Sequence, residues 1–162
     1  MSASPALVWV APAQKITRGA SGRVGAEGAG NGHPAPSTIL VVEDEILVRL
    51  AVCDYLRDCG YRVLEASSGE EAQVIFRAGE EIEILFSDVN LGGAMSGFGL
   101  AQWVRAQYPG IRIILTSGVS RMTQDAADLC DGPLLQKPYS HEELADRIKR
   151  LRGALAQTGG GR

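Results

Sequence analysis

The sequence predicts an α/β fold: a five-stranded parallel sheet with helices on both faces. Three observations predict it. Short apolar runs, several rich in β-branched residues, recur five times between residues 38 and 136. Each run is followed by a stretch whose apolar residues fall at helical spacing, and glycine or proline closes most of those stretches. Parallel neighbours cannot be joined by a tight turn, so alternating strands and helices mean crossovers and an open sheet.

The elements follow in order. Thr38 to Val42 is a short β-branched run, expected as a buried strand. Ile46 to Cys59 carries apolar residues at 48, 52, 55, 56 and 59, one face of a helix, and Gly60 supplies its C-terminal stop. Tyr61 to Ala66 is the second strand. Gly69 to Ala78 is helical, with Ala72, Ile75 and Phe76 on one side and Gly79 closing it. Ile82 to Ser87 is the third strand. Gly97 to Tyr108 is a helix with Leu100, Ala101, Val104 and Tyr108 in phase. Pro109 ends it, because the residue before a proline is pushed out of the helical region. Ile111 to Ser117 is the fourth strand, and Met122 to Cys130 a weaker helix with Met122, Ala126 and Leu129 in phase. Leu134 to Gln136 is a short fifth strand. Ser140-x-x-Glu143 forms a capping box, with His141 at the first helical position; Leu144, Ile148, Leu151 and Leu155 make the apolar face of the last helix. Right-handed crossovers leave few topologies for this pattern, and the flavodoxin-like strand order 2-1-3-4-5 is the one expected at this size.

The folded part is expected over residues 38–156, one domain's worth of chain. Residues 1–37 read as a disordered or non-native tail: six glycines fall between Gly19 and Gly32, followed by Pro34 and Pro36. That composition buries too little apolar area to offset the entropy of ordering it. Residues 157–162, with Gly159-Gly160-Gly161, read as a second tail.

Composition narrows the functional classes. The net charge is −3, but residues 38–156 hold 18 acidic and 12 basic side chains, a local charge of −6. An acidic domain has no electrostatic attraction for phosphate backbones, which argues against nucleic acid as a partner. Cys53, Cys59 and Cys130 are odd in number and lack metal-ligand spacing, so they read as small hydrophobes in a reduced, cytoplasmic setting. No apolar stretch approaches the roughly 20 residues of a membrane span, and no membrane partner is expected. Ala6 to Ala11 is too short, and lacks the basic flank, for a signal peptide.

The chemistry gathers at the strand ends. Asp88-Val89-Asn90 closes the third run, Glu43-Asp44-Glu45 the first, and Lys137-Pro138 the fifth. In open parallel sheets ligands bind outside the carboxyl ends of the strands, where the strand order reverses. Here that point lies between the first and third strands, which end in Asp44 and Asp88. Acid, acid and lysine at three such ends suit a divalent cation and a transferring phosphoryl group.

Four segments carry a resemblance to a known family: Val41-Val42-Glu43-Asp44-Glu45, Ser87-Asp88-Val89-Asn90, Leu115-Thr116-Ser117-Gly118 and Gln136-Lys137-Pro138-Tyr139. In this order and spacing they resemble the receiver domain of bacterial two-component response regulators, over residues 38 to about 155. The resemblance implies that Asp88 accepts a phosphoryl group from a histidine kinase or a histidine phosphotransfer protein. It implies a Mg2+ site made of Glu43, Asp44, Asp88 and the backbone carbonyl of Asn90. Lys137 matches the lysine that pairs with the phosphoryl oxygens, and Ser117, five residues after Arg112, matches the hydroxyl that bonds the phosphorylated form. It further implies a cis bond before Pro138.

Two departures stand out. The loop Leu91-Gly92-Gly93-Ala94-Met95-Ser96-Gly97 lacks the family's usual proline-glycine turn, and its glycines predict a more mobile loop. Leu134 stands where many members carry an aromatic switch residue. With about seven residues after the last helix, the expectation is a stand-alone, chemotaxis-regulator-like receiver, monomeric or weakly dimeric, which is not an enzyme on an external substrate. It would act by protein contact or as a phosphate sink. The rival reading is an aspartyl-phosphate phosphatase of haloacid-dehalogenase type, which also places a nucleophilic Asp after a strand. Such an enzyme needs a second Asp two residues on, and here that residue is Asn90, which cannot exchange protons at neutral pH.

Overall fold

The computed structural model describes residues 36–118 and 128–158. They form β1 (Thr38–Val42), α1 (Ile46–Asp58), β2 (Arg62–Ala66), α2 (Gly69–Arg77), β3 (Ile84–Asp88), α3 (Gly97–Gln107), β4 (Arg112–Ser117), β5 (Leu135–Gln136) and α4 (His141–Thr158). All strand pairings are parallel, and the order is β2-β1-β3-β4-β5. This is the predicted topology, with the reversal between β1 and β3.

Alternation along the strands divides the core into two layers. Ile39, Val41, Ile84, Phe86 and Ile114 face α1 and α4, where Val52, Cys53, Leu56, Leu144 and Ile148 meet them. Leu40, Val42, Leu85, Ile113 and Leu115 face α2 and α3, against Ala72, Phe76, Leu100, Ala101 and Val104. The central strands are buried on both sides, which explains why they read as nearly continuous apolar runs.

Caps and stops fix the helix ends. Ser68 Oγ accepts from Glu71 N, Ser96 Oγ accepts from Gly99 N, and Ser140 and Glu143 make the reciprocal pair expected of a capping box. Gly60 and Gly79 follow α1 and α2 with φ of 88° and 81°, the left-handed turn that glycine makes without strain.

Most element boundaries fall within one residue of expectation, and the third strand differs most. The third strand runs from Ile84 to Asp88, not from Ile82 to Ser87. Ile82 is buried, but its N–H turns to the Glu80 carbonyl, so its apolar character reflects burial outside the ladder. Asp88 joins the ladder instead, opposite Thr116. Of the helix expected over Met122 to Cys130, residues 119–127 lie outside the described residues, and Asp128 and Leu129 are helical. The tail residues 1–35 and 159–162, and the side chain of Leu155, also lie outside the described residues. Among the described residues no helix is long and apolar enough to cross a membrane.

Candidate functional site

A parallel sheet brings all its carboxyl ends to one edge. Val42, Ser87, Thr116 and Gln136 lie near that edge in successive strands, and the next residues of β1, β3, β4 and β5 are Glu43, Asp88, Ser117 and Lys137. Each is held there by the ladder itself. Glu43 N–H continues the pairing to the Ala66 carbonyl, Val89 N–H bonds the Thr116 carbonyl, and Lys137 N–H bonds the Ser117 carbonyl.

The charged atoms converge. One carboxylate oxygen each from Glu43, Asp44 and Asp88 lie within 4.8 Å of one another. Lys137 Nζ donates to Asp88 Oδ2 at 2.5 Å and to Glu43 Oε2 at 3.2 Å. Asp88 Oδ1 accepts from the Asn90 N–H at 3.0 Å, so both oxygens of the Asp88 carboxylate are held. Glu43 is 2% exposed and Asp88 6%, whereas Asp44 and Asn90 are exposed. The site thus has a buried floor and an open mouth.

The electrostatics follow from that burial. Desolvation pushes the Glu43 carboxyl above the usual range, opposed by the Glu45 N–H and by Lys137, and reinforced by the charge of Asp88. Burial alone would lower Lys137, but its hydrogen bond to Asp88 and the charges of Glu43 and Asp88 raise it above the ordinary lysine value. Lys137 is therefore a fixed positive point charge at neutral pH. Three carboxylates in one place are hard oxygen donors of the kind magnesium prefers, and an exposed Asp44 leaves room for the waters it keeps.

All six predicted site residues lie at this edge. Ser117 is buried at the end of β4. The preceding Thr116 has a fully buried hydroxyl with no hydrogen-bond partner among the described residues. The Lys137–Pro138 peptide is cis. Leu134 is partly buried against the α2–α3 layer.

Other residues had no site role in the sequence reading. A Cβ at Gly97 would lie 1.7 Å from the Asp88 carbonyl oxygen, so only glycine lets α3 start this close to Asp88. Tyr139 packs edge-on against Phe86, and its buried hydroxyl lies where the charges of Lys137, Glu43 and Asp88 reach it. The loop after Asp88 is also more tethered than its glycines suggest. Gly92 N–H donates to Asp44 Oδ2, Ala94 and Met95 N–H donate to Glu70 Oε1, and Gly97 N–H bonds the Val89 carbonyl. Glu70 sits in the first turn of α2. Its partners lie 24 and 25 residues away, which no local pattern reveals.

Comparison with known proteins gives this geometry a family. The profile described as "Response regulator receiver domain" matches residues 39–149. The sensor kinase CckA of Brucella abortus is 37% identical over 122 residues, covering 71% of this chain but 12% of that protein. A probable chemotaxis protein CheY of Rhizobium etli is 32% identical over 123 residues, covering 72% of this chain and 93% of that protein. The chain spans about half the length, or less, of several other relatives, such as 46% of the probable transcriptional regulator ycf27 of Porphyra purpurea. Among solved structures, the chemotaxis response regulator CheY4 of Vibrio cholerae superposes with a TM-score of 0.64 at 29% identity, covering 71% of this chain and 98% of that one. TrrA of Thermotoga maritima, in complex with Mg(2+)-BeF, gives 0.64 at 28% identity, with 71% and 98% covered. The fold order, the acidic edge and the match over residues 39–149 agree, and the chain belongs to the response regulator receiver domain family.

Proposed function

We propose that Asp88 is the phosphoacceptor of a single-domain response regulator, charged by a histidine kinase or a histidine phosphotransfer protein. The observation that carries this reading is the Lys137 ammonium 2.5 Å from Asp88 Oδ2, beside three carboxylates whose oxygens lie within 4.8 Å. A lysine so placed can leave the carboxylate for the phosphoryl oxygens without crossing the site.

Glu43, Asp44, Asp88 and the Asn90 carbonyl would hold magnesium, which supplies the charge neutralisation that phosphoryl transfer demands. The similarity to TrrA, solved in complex with Mg(2+)-BeF, supports magnesium as the cation. The residues then divide the work. An Asp88 carboxylate oxygen forms the bond to phosphorus as the donor's nitrogen–phosphorus bond breaks, and the donor imidazole keeps the electron pair. The Asn90 N–H holds the other carboxylate oxygen in line. Lys137 shifts its donors to the phosphoryl group, and Ser117, at the end of β4, offers the hydroxyl that reports the new charge. The acyl phosphate is the output, and no external phosphoester is turned over.

The donor protein is the partner that the surface suits. Ile46, Leu47 and Leu50 on α1 are 58%, 72% and 43% exposed. Leu47 lines a groove of about 550 Å³, together with Val48, Pro138, Tyr139 and His141, that runs up to Lys137. An apolar helix face seated there brings a phosphohistidine to the mouth of the site. A cytoplasmic regulator that passes its signal by protein contact fits this reading, as does the 93% coverage of the Rhizobium etli CheY.

Phosphotransfer from a purified, labelled histidine phosphotransfer protein tests it. Wild type should take the label only when magnesium is present, Asp88→Asn should take none, and Leu47→Asp should slow transfer without slowing labelling by acetyl phosphate. Equal transfer to Asp88→Asn contradicts the proposal.

A further inference from the structure

We propose that Glu70 is a positioning residue of the acceptor site: its carboxylate holds the loop from Leu91 to Ser96 in the conformation that binds the divalent cation. The inference rests on the reading of Glu43, Asp44, Asp88 and Asn90 as a magnesium site.

The loop joins Asp88 to α3 and carries Asn90 at its start. Its far end is held by contacts: Gly97 N–H bonds the Val89 carbonyl, and Gly97 packs closely on the Asp88 backbone. Its near end is pinned by Leu91, buried in the α2–α3 layer at 8% exposure. Between these points lie Gly92, Gly93, Ala94, Met95 and Ser96, two of them glycines, with Gly93 at a φ of 120°. Such a stretch has many backbone states unless something selects one.

Two carboxylates make the selection. Asp44 Oδ2 accepts from Gly92 N–H at 3.0 Å. Glu70 Oε1 accepts from Ala94 N–H at 3.0 Å and from Met95 N–H at 3.1 Å. The two differ in one respect. Asp44 is itself one of the cation's proposed ligands, so its lone pairs are shared once a cation binds. Glu70 stands outside the cluster and keeps its hold whatever occupies the site. It is anchored in turn by the first turn of α2, where Ser68 caps the helix and the Met95 side chain packs over Gly69. Charged acceptors make the stronger hydrogen bonds, and here one oxygen orders two consecutive peptide groups.

The consequence is a loop prepared for the cation before it arrives. Without Glu70 the stretch whose Gly92 N–H orients Asp44 would have to be ordered at the expense of binding. Groups that orient metal ligands from outside the first coordination sphere typically contribute about 10–100-fold to affinity. One oriented ligand among several sets the expectation at the low end.

The test uses the full chain, unphosphorylated, with magnesium as the probe. Affinity is read by titration calorimetry, and amide exchange at Ala94 and Met95 by NMR in magnesium-free buffer. Glu70→Ala should weaken magnesium about tenfold and speed exchange at both amides. Glu70→Gln, whose amide oxygen can still accept from both N–H groups, should recover most of the affinity. Glu71→Ala is the control: Glu71 lies in the same helical turn but bonds Ser67 and does not reach the loop. Unchanged affinity and exchange in Glu70→Ala overturn the inference, and so does an equal loss in Glu71→Ala. A wild type that binds no magnesium overturns the metal site as well. A wild type that binds magnesium but is never phosphorylated overturns only the acceptor reading.

Discussion

Replacing Lys137 by methionine keeps the length of the side chain and removes its charge, leaving Glu43 and Asp88 facing one another. Both are nearly out of water, at 2% and 6% exposure, and each loses its only lysine partner. Breaking a fully buried pair costs about 3–5 kcal/mol. Lys137 is 28% exposed, so solvent already screens part of the attraction, and about 2 kcal/mol is the expected loss in magnesium-free buffer at pH 7. For a domain near 120 residues that lowers the melting temperature by about 6–10 °C. The deficit should depend on pH in one direction. The folded-state pKa of Glu43 is already raised by burial, and loss of Lys137 raises it further. A carboxyl with a raised folded pKa destabilises the fold when ionised, and that penalty disappears as pH falls through the folded value. The deficit of Lys137→Met should therefore shrink between pH 7 and pH 5, and magnesium, which restores positive charge, should stabilise the variant more than wild type. Differential scanning calorimetry at both pH values, with and without magnesium, measures all three quantities. A variant as stable as wild type at pH 7, or a deficit that grows towards pH 5, would refute the electrostatic reasoning.

Three further outcomes are expected from denaturant or thermal melts. Thr116→Val should stabilise the fold by about 1 kcal/mol, because the Thr116 hydroxyl is fully buried without a partner among the described residues and valine has the same shape; a loss of stability would mean that the hydroxyl is bonded. Gly97→Ala should cost about 3 kcal/mol, since the new methyl would collide with the Asp88 carbonyl oxygen and approach Ser87 Oγ at 2.8 Å; a neutral result would show that α3 can move away. Asp131 is held below the usual carboxyl range. Burial opposes this, but Arg105, the Ile113 N–H and Arg112 together outweigh it. Its contribution is complete above the unfolded value and is lost as pH falls through the lower folded one, so Asp131→Asn should cost about 2 kcal/mol at pH 7 and progressively less in acid.

The fold and the site were legible where local pattern and topology act together. Apolar runs such as Thr38 to Val42 and helical faces such as Leu144 and Ile148 announce buried elements, and parallel pairing then forces their carboxyl ends to one edge. That is why Glu43, Asp44, Asp88 and Lys137, scattered over 95 positions of sequence, could be placed in one site. Burial misled once: Ile82 is as apolar as a strand residue, yet it packs before the ladder begins. What remained hidden depends on side chains that reach across the fold. Glu70 binds a loop 24 residues away, and Asp131 joins Arg105 and Arg112, 26 and 19 residues away. In sequence both are unremarkable surface acids. The glycine-rich loop shows the same gap, since its composition speaks of freedom while its N–H groups are tied by acids from the β1–α1 connection and from α2.

Chemical trapping of the acceptor settles whether Asp88 carries the phosphoryl group. An acyl phosphate on an aspartate is reduced by borohydride to homoserine, whereas phosphoserine and phosphothreonine are not. The chain, treated with acetyl phosphate and magnesium and then with borohydride, should yield homoserine at position 88 alone when its peptides are sequenced by mass spectrometry. The conversion should vanish when magnesium is chelated. Homoserine at Asp44 or another aspartate, or a borohydride-resistant phosphate at Ser117, would contradict the assignment.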